Sequence, residues 1–168
     1  MGLKDHKADA PNTLKTAVIS VSSTRTLAED KSGIWISRHL SKEGHAVVSH
    51  RVVPDDATAI ADHLKQIITD QQADAVLITG GTGISHLDVT IEAVKPLFVK
   101  ELTAFGVLFA ILSHEEIDSA AILSRATAGT IDNTVVFCIP GSLAACKLAC
   151  TQLIFPELGH LLRHIQKG

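Results

Sequence analysis

The chain has little that would tie it to nucleic acid, to a membrane or to an oxidising compartment. Its net charge at pH 7 is −3. It therefore has no basic excess with which to meet a phosphate backbone, and a nucleic-acid partner is not expected. No apolar run approaches the roughly 20 residues of a membrane span. The N-terminal "MGLKDHKADAPNTLK" lacks the apolar segment of a secretory signal, and Asp5 and His6 stand where a myristoylation signal wants serine or threonine. There are three cysteines, Cys138, Cys146 and Cys150. An odd count without a secretory signal fits reduced thiols and a cytoplasmic location. Cys146 and Cys150 lie one helical turn apart with no further ligand nearby, so they read as small buried hydrophobes. His160 and His164 share that spacing; two ligands do not close a zinc site, and histidines in a last helical turn suit the helix dipole. Internal repeats, linkers and low-complexity tracts are missing too. The 168 residues fit one domain with one sizeable core: residues 1–13 read as a loose tail and 14–168 as the domain.

What is present is an alternation of strands and helices. "TAVISVSS" (16–23) reads as a buried strand, "DKSGIWISRHLSKEG" (30–44) as a helix stopped by Gly44, and "HAVVSHRVV" (45–53) as a second strand. Ala57, Ile60, Ala61, Leu64, Ile67 and Ile68 follow the helical repeat without a miss, and Asp55 and Asp56 precede them as cap candidates. "ADAVLIT" (73–79) is apolar enough to be a strand covered on both faces. A short helix is expected over 89–94, ended by Pro96, and another over 100–116. Two strands, "AAILSRATAGTI" and "TVVFCIP", meet at Asp132-Asn133, a turn signal. A final amphipathic helix is expected to bend at Pro156. This order predicts an α/β fold with a mainly parallel sheet and helices on both faces. Ligands in such sheets bind beyond the carboxyl ends of the strands. That rule selects four loops: 22–30, 54–56, 80–88 and 140–143.

Gly80-Gly81-Thr82-Gly83 follows the third strand, and His86 stands where a third fingerprint glycine would be, so this is not a dinucleotide-binding turn. No Gly-Lys-Ser/Thr follows, which excludes a Walker A loop. Consecutive glycines still let backbone amides crowd an anion such as phosphate, and a helix starts just beyond; a tight turn without a ligand is the alternative. Asp55 and Asp88 can each be a helix N-cap. Both also sit at carboxyl ends of strands on one sheet edge, and two carboxylates beside a phosphate site suit Mg²⁺. Ser142, after Pro140-Gly141, can cap the last helix while its free amides take a second anion. Arg125 offers a fork to phosphate or carboxylate, or forms an ordinary ion pair. Ser22, Ser23, Thr24 and Arg25 give hydroxyls and a cation, suited to an anion or to a turn.

Taken in order, "SVSSTRTLAEDKSG", "TGGTG", "DVTIEAVKP", "FG", "LSRATAG" and "IPGS" resemble the MoaB/MogA molybdenum cofactor biosynthesis family over roughly residues 14–162. "EEIDSAAILSRATAGT" and the lack of a C-terminal extension point to the MoaB branch. The resemblance implies a three-layer α/β/α molybdopterin-binding fold, assembled as trimers or as hexamers of two trimers. It implies that molybdopterin is adenylylated with Mg-ATP, in company with other proteins of the pathway. On this chain Gly80, Gly81, Thr82 and Gly83 would bind nucleotide phosphates, Asp88 would be the acid needed for turnover, and Asp55 would hold Mg²⁺. Pro140, Gly141 and Ser142 would cradle the terminal phosphate of molybdopterin, with Ser124 and Arg125 on the pterin side and Ser22 and Thr24 in the first loop. Three positions depart from the family's pattern. Ser23 stands for an acid, Leu87 for an arginine and Val107 for a glutamate. Two functions are therefore carried forward: a molybdopterin adenylyltransferase, and a protein of the same pathway that binds molybdopterin without catalysis. For self-association, Leu102, Phe105, Leu108, Phe109 and Leu112 offer an apolar helix face.

Overall fold

The computed structural model describes residues 13–167; the expected tail falls outside these apart from Thr13. Six strands form one sheet: β1 (Lys15–Val21), β2 (Ala46–Val53), β3 (Ala75–Thr79), β4 (Lys100–Glu101), β5 (Thr127–Ile131) and β6 (Thr134–Ile139). Their order is β2-β1-β3-β6-β5-β4. The first four in that order run parallel; β5 runs antiparallel to β6, and β4, antiparallel to β5, again shares the direction of the first four.

Successive strand residues point to opposite faces, so the buried strands feed two separate cores. Val18, Leu77 and Phe137 go to one face; Ile19, Ile78 and Cys138 go to the other. On the first face lie α1 (Lys31–Lys42), α4 (Thr103–Ile117), α5 (Leu143–Ala149) and α6 (Phe155–Lys167). Their Ile36, Leu40, Phe109, Cys146, Leu158 and Leu162 fill that core. The second face carries α2 (Ala57–Asp70) and α3 (Thr90–Val94), which bury Ile60, Leu64, Ile67 and Val94. The result is the expected three-layer α/β/α sandwich. Each fully buried aliphatic or aromatic side chain contributes about 1.5–3 kcal/mol.

Several boundaries differ from the sequence expectation, each for a local reason. Lys100 and Glu101 are not helical; they pair with Thr130 and Gly129 as an edge strand, and α4 begins at Thr103. The stretch before β5 is a 3₁₀ segment, Asp118–Leu123, and the strand starts only at Thr127. Helix α3 does end at Val94, and Pro96 follows inside a 3₁₀ turn, Lys95–Leu97, where a missing N–H costs nothing. The last helix is interrupted before Pro156 rather than at it. Cys150–Ile154 forms a π turn, whose wider ring relieves the clash between a proline and the preceding turn. The apolar face expected on the helix after residue 100 divides: Phe105 and Phe109 enter the core, Leu102 and Leu112 are half-buried and Leu108 stays exposed, as do Val107 and Ile111 beside it.

The sheet topology positions the site. The chain leaves β1 for β2 on one side, then crosses to β3 on the other. The loops after β1 and β3 therefore part company, because α1 and α3 lie on opposite faces of the sheet. Such a switch point opens a crevice at the carboxyl edge. Since β6 runs parallel to β3, its loop reaches the same edge.

Candidate functional site

Gly80 and Gly81 adopt left-handed backbone, with φ of 97° and 65°. A Cβ on Gly80 would fall 2.5 Å from the Val21 carbonyl, and one on Gly81 would overlap the Thr90 hydroxyl. Both positions are thus closed to side chains by conformation and by space. Thr90 is the fastener. Its hydroxyl donates to the Gly80 carbonyl (2.8 Å) and its amide to the Gly81 carbonyl (2.9 Å). With the carbonyls turned inward, the amides of Gly81 and Thr82 have no hydrogen-bond partner among the described residues. Both residues line a cleft of about 300 Å³.

Asp88 does not cap α3. The residue at that position is Val89, with no side-chain cap, and the Asp88 carboxylate instead accepts the Ser85 amide at 2.8 Å. Burial works against its charge. The Ser85 amide and hydroxyl, the Gly83 amide and the nearby Arg125 outweigh burial and hold the carboxyl below the usual range. Asp88 is therefore ionised and fastened by its own loop.

Arg125 stands behind the glycine turn. Its Nε donates to the carbonyls of Thr82 and Gly83, both at 2.9 Å, while its two terminal nitrogens fork onto Glu92 at 2.6 and 3.3 Å. The guanidinium is thus engaged by the protein itself and orients the turn.

The two adjacent acids before α2 take different work. Asp56 is its N-cap, accepting the Ala59 amide at 2.7 Å. Asp55 turns to the first loop, where one carboxylate oxygen accepts the Ser23 amide (2.7 Å) and hydroxyl (2.8 Å). The Asp55 amide in turn donates to the Ser23 hydroxyl at 3.0 Å. Ser23 thus ties the loops after β1 and β2 together. Ser22 accepts the amides of Thr24 and Arg25, an Ser/Thr turn that shapes the same loop.

Under this loop lies a buried polar cluster that the sequence reading did not single out. Asp30 is 1% exposed and N-caps α1 through Gly33 (3.0 Å). It also accepts from Ser20 and pairs with His50 Nε2 at 2.7 Å. Burial opposes its charge, but His50, Ser20 and the Gly33 amide together hold its carboxyl below the ordinary value. The only sequence signal for this role is the position of Asp30 directly before a helix. The partners His50 and Ser20 come from separate strands and carry no motif.

The third loop, 140–142, closes the cleft. Ser142 caps α5 by accepting the Ala145 amide at 3.2 Å. The Pro140 carbonyl accepts the Thr79 hydroxyl (3.0 Å) and the Gly141 carbonyl the Ser32 hydroxyl (2.9 Å). A Cβ on Gly141 would lie 3.1 Å from the Gly80 Cα, so the two loops touch through their glycines.

The cleft collects Ser22, Asp55, Gly80 to Gly83, Asp88, Ser124, Pro140 and Gly141 in one place. Thr24, Ser142 and Arg125 stand outside its lining. Arg25, the cation that the first loop was expected to offer an anion, lines it too, as does Leu123, which was not expected there. Of the three departures, Ser23 grips Asp55, while Leu87 and Val107 are 55% and 61% exposed. The arrangement presents backbone amides, two carboxylates and one arginine to a ligand, a set suited to polyanions accompanied by a divalent cation.

Comparison with known proteins follows this geometry. The family described as a probable molybdopterin binding domain matches residues 17–160. A Bacillus subtilis (strain 168) protein described as molybdenum cofactor biosynthesis protein B is 49% identical over 168 residues, 99% of each chain. The crystal structure of a molybdenum cofactor biosynthesis protein B superposes with a TM-score of 0.91 at 43% identity, covering 95% of this chain and 100% of the other. A tungsten cofactor synthesizing protein, MoaB from Pyrococcus furiosus, gives a TM-score of 0.85 at 43% identity, with 94% and 99% coverage.

Proposed function

The chain belongs to the molybdopterin-binding family of molybdenum cofactor biosynthesis proteins, and on that footing we propose that its cleft binds molybdopterin and adenylylates it with Mg-ATP. The observation that carries this reading is the meeting of the Gly80–Gly83 turn, Asp55, Asp88 and Gly141 in one cleft. In adenylyl transfer, an oxygen of the molybdopterin phosphate forms a bond to the α-phosphorus of ATP. The α–β phosphoanhydride bond breaks, and pyrophosphate leaves. The nucleophile is already an ionised phosphate, so the protein has only to align two polyanions and offset their charge.

The amides of Gly81 and Thr82 receive nucleotide phosphate oxygens, and Arg125 keeps them aimed by holding the turn's carbonyls. Arg25 supplies positive charge from the facing loop. Asp55 and Asp88 would hold Mg²⁺, which would supply positive charge to offset the phosphate charge as it develops. The donor set fits that ion. Asp55 and Asp88 are hard oxygen ligands at one cleft, each with one oxygen already fixed by its loop.

A second reading, binding without transfer, draws on Arg25 being the only cation in the cleft lining among the described residues and on Leu87 carrying no charge. One assay separates the two. The protein is supplied with molybdopterin, ATP and Mg²⁺ and examined for adenylylated product and pyrophosphate. Product formation supports transfer; retained molybdopterin binding with no product leaves only the binding function. Self-association belongs to the same proposal. The exposed Val107, Leu108 and Ile111 on α4 are the surface for a trimer, or for a hexamer of two trimers.

A further inference from the structure

At the far end of the molecule, His160 and His164 lie one turn apart on α6, and their Nε2 atoms face each other at 3.0 Å. We infer that this pair is a binding site for a divalent transition-metal ion of square-planar or octahedral preference, such as Ni²⁺ or Cu²⁺.

Three observations converge on it. The first is the nitrogen separation. An ion about 2.05 Å from each nitrogen, an ordinary metal–imidazole distance, would stand between nitrogens 3.0 Å apart at a bond angle of about 94°. That is a cis angle of square-planar or octahedral coordination, whereas a tetrahedral ion would part the nitrogens by about 3.3 Å.

The second is the ring arrangement. The centroids are 4.7 Å apart and the planes cross at 66°. With each centroid about 1.15 Å behind its nitrogen, a shared ion at that bond length and angle requires a centroid separation of about 4.7 Å. A hydrogen bond running straight along both ring axes would require about 5.3 Å instead. The lone-pair directions therefore converge on a point beside the nitrogen–nitrogen line.

The third is Glu157. Its Oε2 lies 3.2 Å from His160 Nδ1, so the carboxylate takes the far nitrogen and leaves Nε2 to present toward His164. A carboxylate behind a ligating histidine fixes its tautomer and strengthens it as a donor. Glu157, His160 and His164 follow the i, i+3 and i+7 positions of one helix face, where such side chains meet. His164 is exposed, so the remaining coordination positions are open to water. The site is independent of the cleft, which lies at the carboxyl edge of the sheet.

The test is titration of the full chain, free of any histidine tag, with NiCl₂ by calorimetry in a non-chelating buffer. One ion per chain is expected. His160→Ala and His164→Ala should each weaken binding at least tenfold, and Glu157→Gln by about tenfold, with far-UV circular dichroism unchanged. His114→Ala, a histidine elsewhere on the surface, should bind like the parent. With Cu²⁺ in place of Ni²⁺, electron paramagnetic resonance should show two imidazole nitrogens in the parent and one in either single-histidine variant. Equal Ni²⁺ affinity in the parent and in His164→Ala, or a copper spectrum indifferent to both substitutions, overturns the site.

Discussion

Gly33→Ala separates two physical effects of opposite sign. Alanine is the better helix former by about 1 kcal/mol, and Gly33 lies in α1, so helix propensity alone predicts a more stable protein. The structure predicts the reverse. A Cβ there would fall 2.5 Å from the Ser20 hydroxyl and overlap both Asp30 Oδ2 and His50 Nε2. These atoms are neither flexible nor exposed; they are the bonds that make a buried carboxylate tolerable. Forcing them apart resembles removing a partner from a buried ion pair, which costs about 3–5 kcal/mol. Offset by propensity, the net loss is about 2–4 kcal/mol. For a chain of this size each kcal/mol moves Tm by about 2–4 °C, so a fall of roughly 5–15 °C is expected in a thermal melt at fixed protein concentration. Urea unfolding should show a lower midpoint with an unchanged slope. A melting temperature equal to or above that of the parent would refute the reasoning, because it would mean that the Asp30 cluster yields without cost.

Asp55 and Asp56 should part company when each is replaced by alanine. Asp56→Ala loses an N-cap and about 1 kcal/mol of stability with adenylyl transfer retained, whereas Asp55→Ala abolishes Mg²⁺-dependent product formation, both read by parallel melts and product assays. Stability should fall with acidity in two stages. His45 and His63 have pKa values pushed below the ordinary 6.5 by burial, so the unfolded chain takes up their protons first, and their contribution, present above pH 6.5, is lost as pH falls below it. Asp30, Asp88 and Glu92 are likewise lowered, so their contribution is present above the ordinary carboxylate range and disappears as pH falls through and below it; urea midpoints that rise between pH 7 and pH 5 would contradict this. Ile111→Asp should reduce the oligomer measured by sedimentation velocity without lowering the helix content, while an unchanged sedimentation coefficient would clear α4 of that role.

Much of the architecture was legible because its determinants are local. The repeat in α2 and the all-apolar β3 announce themselves in a few consecutive residues, and Gly44, with φ of 91°, stops α1 as its position suggests. The glycine turn was legible as a turn, and all four selected loops do meet at one cleft, the second through Asp55. What escaped were roles set by distant partners. Asp88 looks like a cap because it precedes a helix, but the Ser85 amide competes for it successfully. Of the two readings open for Arg125, an anion ligand or an ion pair, the structure gives the ion pair, but nothing nearby in sequence foretells its partner Glu92, 33 positions earlier. Asp30 gives no hint of its place at the centre of a buried cluster, since His50 and Ser20 reach it only through the pairing of β1 with β2. The π turn at Cys150–Ile154 was sensed through Pro156, but its location depends on backbone bonds that no composition records.

The pairing of β1 directly with β3 has a consequence for how this family can vary. The first loop and the glycine turn spring from neighbouring strands, whose spacing of about 4.8 Å is set by main-chain hydrogen bonds and by no side chain. The sheet is therefore a ruler. Residues at the loop tips, such as Ser23 and Leu87, can be exchanged without altering the distance between the two rims. Changes there alter the character of the rims while the span between the two loops stays the same.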